Sequence, residues 1–171
     1  MRKFAMNYGA IMGLILVAFS IVLEQLGIDP MNAKWVNVIN YLVYFAFIIY
    51  GTYTYREQIS NGFISYSEAL KLGTSIVFFA TLISSFYLYI YAEFINPDMI
   101  TEVLLKSEEQ IYQQNPNISD EELEMALSMT EKFLTPTMMT LMGLLSGTFM
   151  GFLFSLLTSA FLKRNKPEFE A

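Results

Sequence analysis

The sequence predicts an all-α fold: a four-helix transmembrane bundle with an extracytoplasmic acidic helical hairpin between spans three and four. Four long apolar runs with hardly any charged residues predict the spans, and apolar residues make up 54% of the chain, above the usual range of about 45–50%. A single charged segment separates the third run from the fourth. Helix-capping patterns before several of these segments predict that each is helical.

The first two apolar runs predict membrane-spanning helices over residues 4–23 and 35–55. The first has no charged residue and is long enough to cross a bilayer core of roughly 30 Å. A cleaved signal peptide is the alternative, because Ala18 and Ser20 flank Phe19 as small residues, but the apolar run continues past them. The second run begins at Trp35 and ends among tyrosines, a placement typical of interfacial aromatic residues.

The third and fourth spans are predicted over residues 67–95 and 136–162. Ser65 and Glu68 have the spacing of a capping box at the start of span three. After span three, the sequence NPD at residues 96–98 predicts a new helix capped by Asn96. Thr135 and Pro136 predict the start of span four, which is longer than a bilayer requires and is therefore expected to tilt or protrude.

The segment of residues 98–134 differs from the spans because it carries nine acidic residues and two lysines. The sequence QQNPN at residues 113–117 divides it, and Ser119 and Glu122 form a second capping-box pattern. The second half places six residues on one helical face, which are Leu123, Ala126, Leu127, Thr130, Phe133 and Leu134. We interpret the segment as an acidic helical hairpin within a single integral membrane domain over residues 1–171.

The distribution of basic residues predicts the orientation, because Lys and Arg near span ends favour the cytoplasmic side. Seven of the ten basic residues fall on the N-terminus, the second loop region and the C-terminus: Arg2, Lys3, Arg56, Lys71, Lys163, Arg164 and Lys166. The first loop and the acidic segment hold Lys34, Lys106 and Lys132. The prediction is that both termini are cytoplasmic and that residues 98–134 are extracytoplasmic.

Small residues recur every fourth position in span four, and this pattern predicts close helix packing. We call the set the small-residue stripe, and it comprises Gly143, Gly147, Gly151, Ser155 and Ser159. Matching small residues are Gly9 and Gly13 in span one and Gly73 in span three. Three interpretations remain open: packing within one bundle, an interface with a second copy or a membrane-protein partner, and a polar pore wall.

Residue types that are absent exclude several chemistries. The chain has no histidine and no cysteine, which removes histidine-dependent catalysis, His-ligated zinc and thiolate chemistry. A net charge of −6 argues against nucleic-acid binding. No cofactor or metal is expected, no EF-hand spacing is present, and we expect no enzymatic activity.

Ionisable residues within a membrane are functional candidates by default. Here they lie only near the span ends, and Glu93, Glu68 and Lys71 form a candidate rim ionisable site, with Glu68 and Lys71 spaced to pair. The eleven methionines, including Met125 and Met129, are expected to fill gaps in packing.

Four further features have a recognisable pattern: ISYSEALKLG at residues 64–73, FINPD at 94–98, the acidic insert before Thr135 and Pro136, and KRNKP at 163–167. With these motifs, the chain resembles a family of small four-span bacterial membrane proteins, domain of unknown function family 4199. The resemblance covers nearly the whole length. It implies a protein of the bacterial inner membrane, and it supplies no activity, cofactor or catalytic residue.

Two functions are consistent with these patterns. The first is a non-catalytic integral membrane protein, a scaffold or accessory subunit of a bacterial envelope assembly that contacts the lipid bilayer. The alternative is a small oligomeric transporter or channel, whose polar lining would be Asn37, Asn40, Ser84 and Ser85. A homo-oligomer or a membrane-protein partner would bind through the small-residue stripe.

Overall fold

Six α-helices and one π-helical turn make up the regular structure of the described residues. The structure is a computed structural model that describes residues 1–28 and 33–166. The helices are α1 (Arg2–Gln25), α2 (Lys34–Gln58), α3 (Tyr66–Ile90), α4 (Met99–Gln114), α5 (Asp120–Phe133) and α6 (Pro136–Leu162), and the π-helical turn Tyr91–Ile95 follows α3 directly. Pro30, in the first loop, and Pro167, the last residue of the KRNKP motif, lie outside the described residues.

Four of the helices are long and apolar enough to cross a membrane: α1, α2, α3 with its π-helical turn, and α6. This confirms the predicted all-helical fold with four candidate spans. The helices extend the predicted 4–23 and 35–55 by one to three residues at each end. The predicted span 67–95 corresponds to α3 together with the π-helical turn, and the predicted 136–162 matches α6.

Three of the predicted helix starts are capped as the sequence indicates. The Ser65 amide and hydroxyl both donate to Glu68 Oε2, at 2.9 and 2.8 Å, and Ser119 forms a complete capping box with Glu122. The Met138 amide donates to Thr135 Oγ1 at 3.2 Å. Each of these bonds satisfies an amide or hydroxyl at a helix start.

The predicted cap at Asn96 is wrong. Helix α4 begins at Met99, and its N-cap, Asp98, makes no side-chain capping bond. Asn96 instead ends the preceding helix, since its amide donates to Tyr91 O at 2.8 Å in the i→i−5 pattern of a π-helix. Its backbone amide is thereby committed to the end of one helix rather than the start of the next.

The chain divides into two compact units, one of residues 1–84 and 144–171 and the other of residues 85–143. The first unit holds the main apolar core, which is centred on the inward face of α3 and includes Leu72, Ile76, Val77 and Ala80, all fully buried. Helix α3 is thus the central helix of this unit.

Aromatic contacts join the other helices of the first unit. Phe4 at the start of α1 packs edge-on against Tyr55 near the end of α2, with ring centroids 5.3 Å apart. At the other end of the same pair, the rings of Phe19 and Trp35 lie 6.5 Å apart. These two contacts show that α1 and α2 run antiparallel. Phe154 of α6 packs on three aromatic rings of α2.

The outward faces of the spanning helices are apolar. Large apolar side chains that are more than half exposed include Leu14, Leu42, Phe149 and Phe161, and Phe161 is 87% exposed. Exposure of so much apolar surface is costly in water but suits contact with lipid chains. The packing therefore agrees with helices that cross a bilayer.

The second unit contains α4 and α5, which contact each other and are joined by residues 115–119. Leu123 is the buried residue of α5, whereas α4 has none. Along the predicted apolar face of α5, Leu123 is buried, whereas Phe133 at the end of the helix is 62% exposed.

Candidate functional site

The small-residue stripe of α6 packs against α3 in a regular antiparallel register. A Cβ atom added to Gly147 would lie 2.5 Å from Thr81 Cγ2, and one added to Gly151 would overlap Val77. One turn further on, Gly73 of α3 approaches Ser155, whose Oγ would lie 2.5 Å from an added Cβ. The contacting residues of α3, which are Gly73, Val77 and Thr81, therefore also recur every fourth position. Each contact along α6 is matched by a contact four residues earlier on α3.

Gly143 continues this pattern within the second unit, but less tightly. An added Cβ would lie 3.4 Å from Ser85 Oγ and 3.9 Å from Leu88 Cδ2, which are ordinary van der Waals distances. Among the glycines of the stripe, Gly143 is therefore the one where a methyl group fits without displacement.

Two glycines of α1 pack on a different face of α3. A Cβ added to Gly9 would lie 2.5 Å from Ile76 O, and one added to Gly13 would lie 2.9 Å from Ala80 O. Both contacts are to backbone, which has little room to move. The later glycine of α1, Gly13, contacts the later residue of α3, Ala80, and the two helices therefore run parallel.

Most of the small residues named from the sequence contact α3 or, in the case of Gly73, belong to it. Gly9 and Gly13 lie on one side of α3, and Gly147, Gly151 and Ser155 lie on another. Ser159 is buried, with 1% of its surface exposed. The close contacts of Gly147, Gly151 and Ser155 are made with α3 of the same chain.

Hydroxyl groups in the first unit fall into two groups. Most donate to a backbone carbonyl one turn earlier in their own helix, as Thr158 does to Phe154 O at 3.0 Å, and Thr81 also meets the Thr148 hydroxyl at 3.2 Å between α3 and α6. By contrast, four hydroxyls are buried without a hydrogen-bond partner among the described residues, those of Thr52, Thr74, Ser155 and Ser159. Such groups are unusual and call for a polar partner.

Basic residues gather at one end of the first unit. Helices α1 and α3 begin there, and α2 and α6 end there, as the Phe4–Tyr55 contact and the α1–α3 register require. The backbones of Ile64 and Arg164 form an antiparallel bridge, with N–O distances of 2.9 and 2.8 Å. We call this end of the first unit the basic end. It holds seven basic residues: Arg2, Lys3, Arg56, Lys71, Lys163, Arg164 and Lys166.

A cleft of about 490 Å³ opens at the basic end. It lies between the loop after α2, the first turn of α3 and the segment after α6. Its charged lining residues are Glu68, Arg164 and Lys166. Sequence reasoning missed this cleft, because its walls come from segments about a hundred residues apart.

The three members of the candidate rim ionisable site are exposed. Glu68 uses its carboxylate to accept hydrogen bonds from Ser65, and it forms no ion pair with Lys71 in the described part of the chain. Glu93 lies in the π-helical turn after α3. Within the described residues, no group of three metal-ligating acidic side chains is found.

The polar side chains proposed to line a transport path have different surroundings. Asn37 is exposed and Asn40 is half-buried on α2. The Ser84 hydroxyl donates to Ala80 O at 3.1 Å in its own helix, and Ser85 is buried against Gly143.

Helix α5 carries an exposed apolar stripe, which we call the methionine stripe: Met125, Met129 and Phe133. These side chains are 64%, 58% and 62% exposed. Their spacing of four residues places them along one side of the helix, and acidic residues occupy its first turn. The expectation that Met125 and Met129 fill packing gaps is therefore wrong, since more than half of each side chain is exposed.

These features define a helical membrane protein with four candidate spans and a separate acidic helical unit. The chain belongs to the family described as protein of unknown function (DUF4199), whose model matches residues 7–164. The match covers nearly the whole chain and agrees with the resemblance carried by the ISYSEALKLG, FINPD and KRNKP motifs. No curated protein and no solved structure matches the chain.

Proposed function

We propose that the chain is a non-catalytic integral membrane protein of the bacterial inner membrane that serves as a scaffold or accessory subunit of an envelope assembly. In this proposal both termini are cytoplasmic, and α4 and α5 form the acidic hairpin on the opposite, extracytoplasmic side. The clustering of seven basic residues at one end of the first unit supports that orientation.

The observation that carries the proposal is the exposed methionine stripe on an acidic helix. Gly147, Gly151 and Ser155 of the small-residue stripe pack on α3 of the same chain, so the exposed face of α5 is the better candidate for a partner's surface. Methionine side chains are flexible and polarizable, and they suit surfaces that adapt to an apolar partner. Residues 98–134 carry nine acids and two lysines, and this negative charge favours a cationic partner and disfavours an anionic bilayer surface.

The partner that fits this surface is a cationic amphipathic segment of another envelope protein. Its apolar side chains would pack on Met125, Met129 and Phe133, as an amphipathic helix packs in an apolar groove. Its Lys or Arg residues would face the acidic first turn of α5. Specificity would come from this charge complementarity, and most of the free energy of binding would come from burial of the apolar stripe.

Site-specific photocrosslinking in intact cells tests the proposal. A photoreactive residue at position 129 should crosslink to one protein, and the crosslinked peptide should be cationic and amphipathic. A photoreactive residue at Glu131, on another side of α5, is the matched control and should give little of the same product. Crosslinking to lipid alone, or equally from both positions, would contradict the proposal.

The alternative function, a small oligomeric transporter or channel, is favoured by one observation. Thr52, Ser155 and Ser159 bury hydroxyl groups that have no partner among the described residues, and a polar path through helices needs such groups. Ion flux in reconstituted vesicles that changes on Ser155→Ala would support transport. Flux at the level of empty vesicles would leave the accessory function as the better account.

A further inference from the structure

The cleft at the basic end is held in place by backbone contacts. Ile64 and Arg164 exchange both of their backbone hydrogen bonds, which fixes the segment after α6 against the loop before α3. Arg56 Nη1 donates to Leu162 O at 3.0 Å. In the loop, Asn61 and Gly62 both adopt positive φ, and the Gly62 amide donates to Arg56 O at 2.8 Å. The cleft therefore has defined walls.

The charges that line the cleft favour an anion. The Arg164 guanidinium lies over the Phe63 ring, 5.8 Å from its centroid, and neither Arg164 nor Lys166 forms an ion pair with another described residue. Among the described lining residues, Glu68 is the one acid; it accepts two hydrogen bonds from Ser65 and interacts electrostatically with Lys166. Two cations and one carboxylate thus meet at an open cleft, and guanidinium and ammonium groups together suit a phosphate group.

The surroundings of the cleft favour a phosphate that carries apolar chains. Phe161, which is 87% exposed, lies three residues before Arg164, and Leu157, which is 59% exposed, lies one turn earlier on α6. An apolar helix surface therefore leads directly to a cationic cleft. An anionic phospholipid has the same succession of acyl chain and phosphate, and basic pockets at the cytoplasmic ends of spanning helices suit such headgroups.

We propose that the cleft between the α2–α3 loop and the segment after α6 binds a phosphate group, carried by the headgroup of an anionic phospholipid. The proposal rests on the membrane placement of the proposed function, with the basic end facing the cytoplasmic leaflet. It does not depend on the methionine stripe or on a protein partner. Its test therefore uses the purified full-length chain alone, so that its failure is distinct from a failure to find a partner.

The experiment is native mass spectrometry of the chain released from nanodiscs of phosphatidylcholine with phosphatidylglycerol. The expected result is retention of one phosphatidylglycerol per chain. Arg164→Ala combined with Lys166→Ala should lower that retention at least fivefold. The backbone bridge does not use the Arg164 side chain, so the fold should persist. Lys163→Ala is the matched control, because Lys163 does not line the cleft, and it should retain the lipid.

Two further arms make the result decisive. Glu68→Gln removes the negative charge from the lining but keeps a side chain that can form a capping box, so phosphatidylglycerol retention should rise. Inorganic phosphate at millimolar concentration should not displace the lipid. Displacement by phosphate would assign the cleft to soluble phosphates and overturn the lipid assignment. Absence of retained lipid, or equal loss in the Lys163 control, would overturn the proposal.

Discussion

The small-residue stripe of α6 and the methionine stripe of α5 have the same residue spacing but differ in burial. Both repeat every fourth residue, as Gly143, Gly147, Gly151, Ser155 and Ser159 on α6 and as Met125, Met129 and Phe133 on α5. The small residues of α6 let another backbone approach and are covered by α3, whereas the large apolar residues of α5 remain exposed. Periodicity thus defines a face, and side-chain size and the neighbouring helices decide whether the chain itself covers that face.

The sharpest way to break the comparison is to give the α6 face a large side chain. Gly147→Leu places a Cβ atom 2.5 Å from Thr81 Cγ2, and overpacking of this kind costs about 3 kcal/mol. We expect a clearly lower unfolding midpoint in detergent, measured by circular dichroism. Gly143→Leu should cost less, because its Cβ meets only ordinary contacts. Equal midpoints for Gly147→Leu and the unmodified chain would refute the register.

Adding a single methyl group should destabilise the chain where a glycine contacts backbone and should be tolerated where it does not. Gly9→Ala puts its Cβ 2.5 Å from Ile76 O, and after the gain in helix propensity of about 1 kcal/mol a net loss of about 2 kcal/mol should remain. Gly143→Ala meets no atom closer than 3.4 Å, so it should be neutral or stabilising. The unfolding midpoint in detergent, measured by circular dichroism, tests both variants. A stabilised Gly9→Ala variant would mean that α1 does not approach α3 closely.

Loss of a cap should loosen α5 and leave the spanning helices unchanged. Ser119→Ala removes the hydroxyl that accepts from the Glu122 amide, and such losses cost about 1 kcal/mol. Hydrogen exchange should quicken at the amides of α5, with unchanged protection in α1 and α3. Uniformly faster exchange throughout the chain would show instead that α5 unfolds together with the spans.

The smallest effect on stability is expected at the methionine stripe. Replacing Met125 and Met129 by Gln should change the free energy of unfolding by less than about 0.5 kcal/mol, because exposed side chains contribute little to the core. The same change should greatly reduce crosslinking from position 133. Replacing both by Leu keeps the apolar surface and should preserve the crosslink. A large loss of stability in the Gln variant would mean that the stripe is covered within the chain.

Much of the fold could be predicted because its signals are local. An apolar run long enough to span a bilayer, or a Ser and a Glu three residues apart, carries its own physical meaning. Span limits differed by one to three residues, since a helix continues into polar residues such as Lys34 and Gln58 as long as its backbone bonds can form. The prediction for Asn96 was wrong because the preceding π-helical turn ends at this residue and α4 begins only at Met99.

The rest depends on contacts between distant segments. Spacing identified the small-residue face of α6, but it could not say that Gly73, Val77 and Thr81 of α3 would meet it. The methionine stripe was misread, because a sequence does not state which apolar face another element covers. The cleft at the basic end depends on a bridge between Ile64 and Arg164, and no pattern within either segment alone indicates it.

The pairing of α3 with α6 also sets an order for biosynthesis. A ribosome delivers α3 to the membrane well before α6, because residues 91–135 are translated in between. Until α6 arrives, the sides of Val77 and Thr81 that Gly151 and Gly147 later cover face lipid or the insertion machinery. The Ile64–Arg164 bridge can close only after residue 164 has been translated. A nascent chain arrested before α6 would therefore expose its central helix to membrane quality-control proteases.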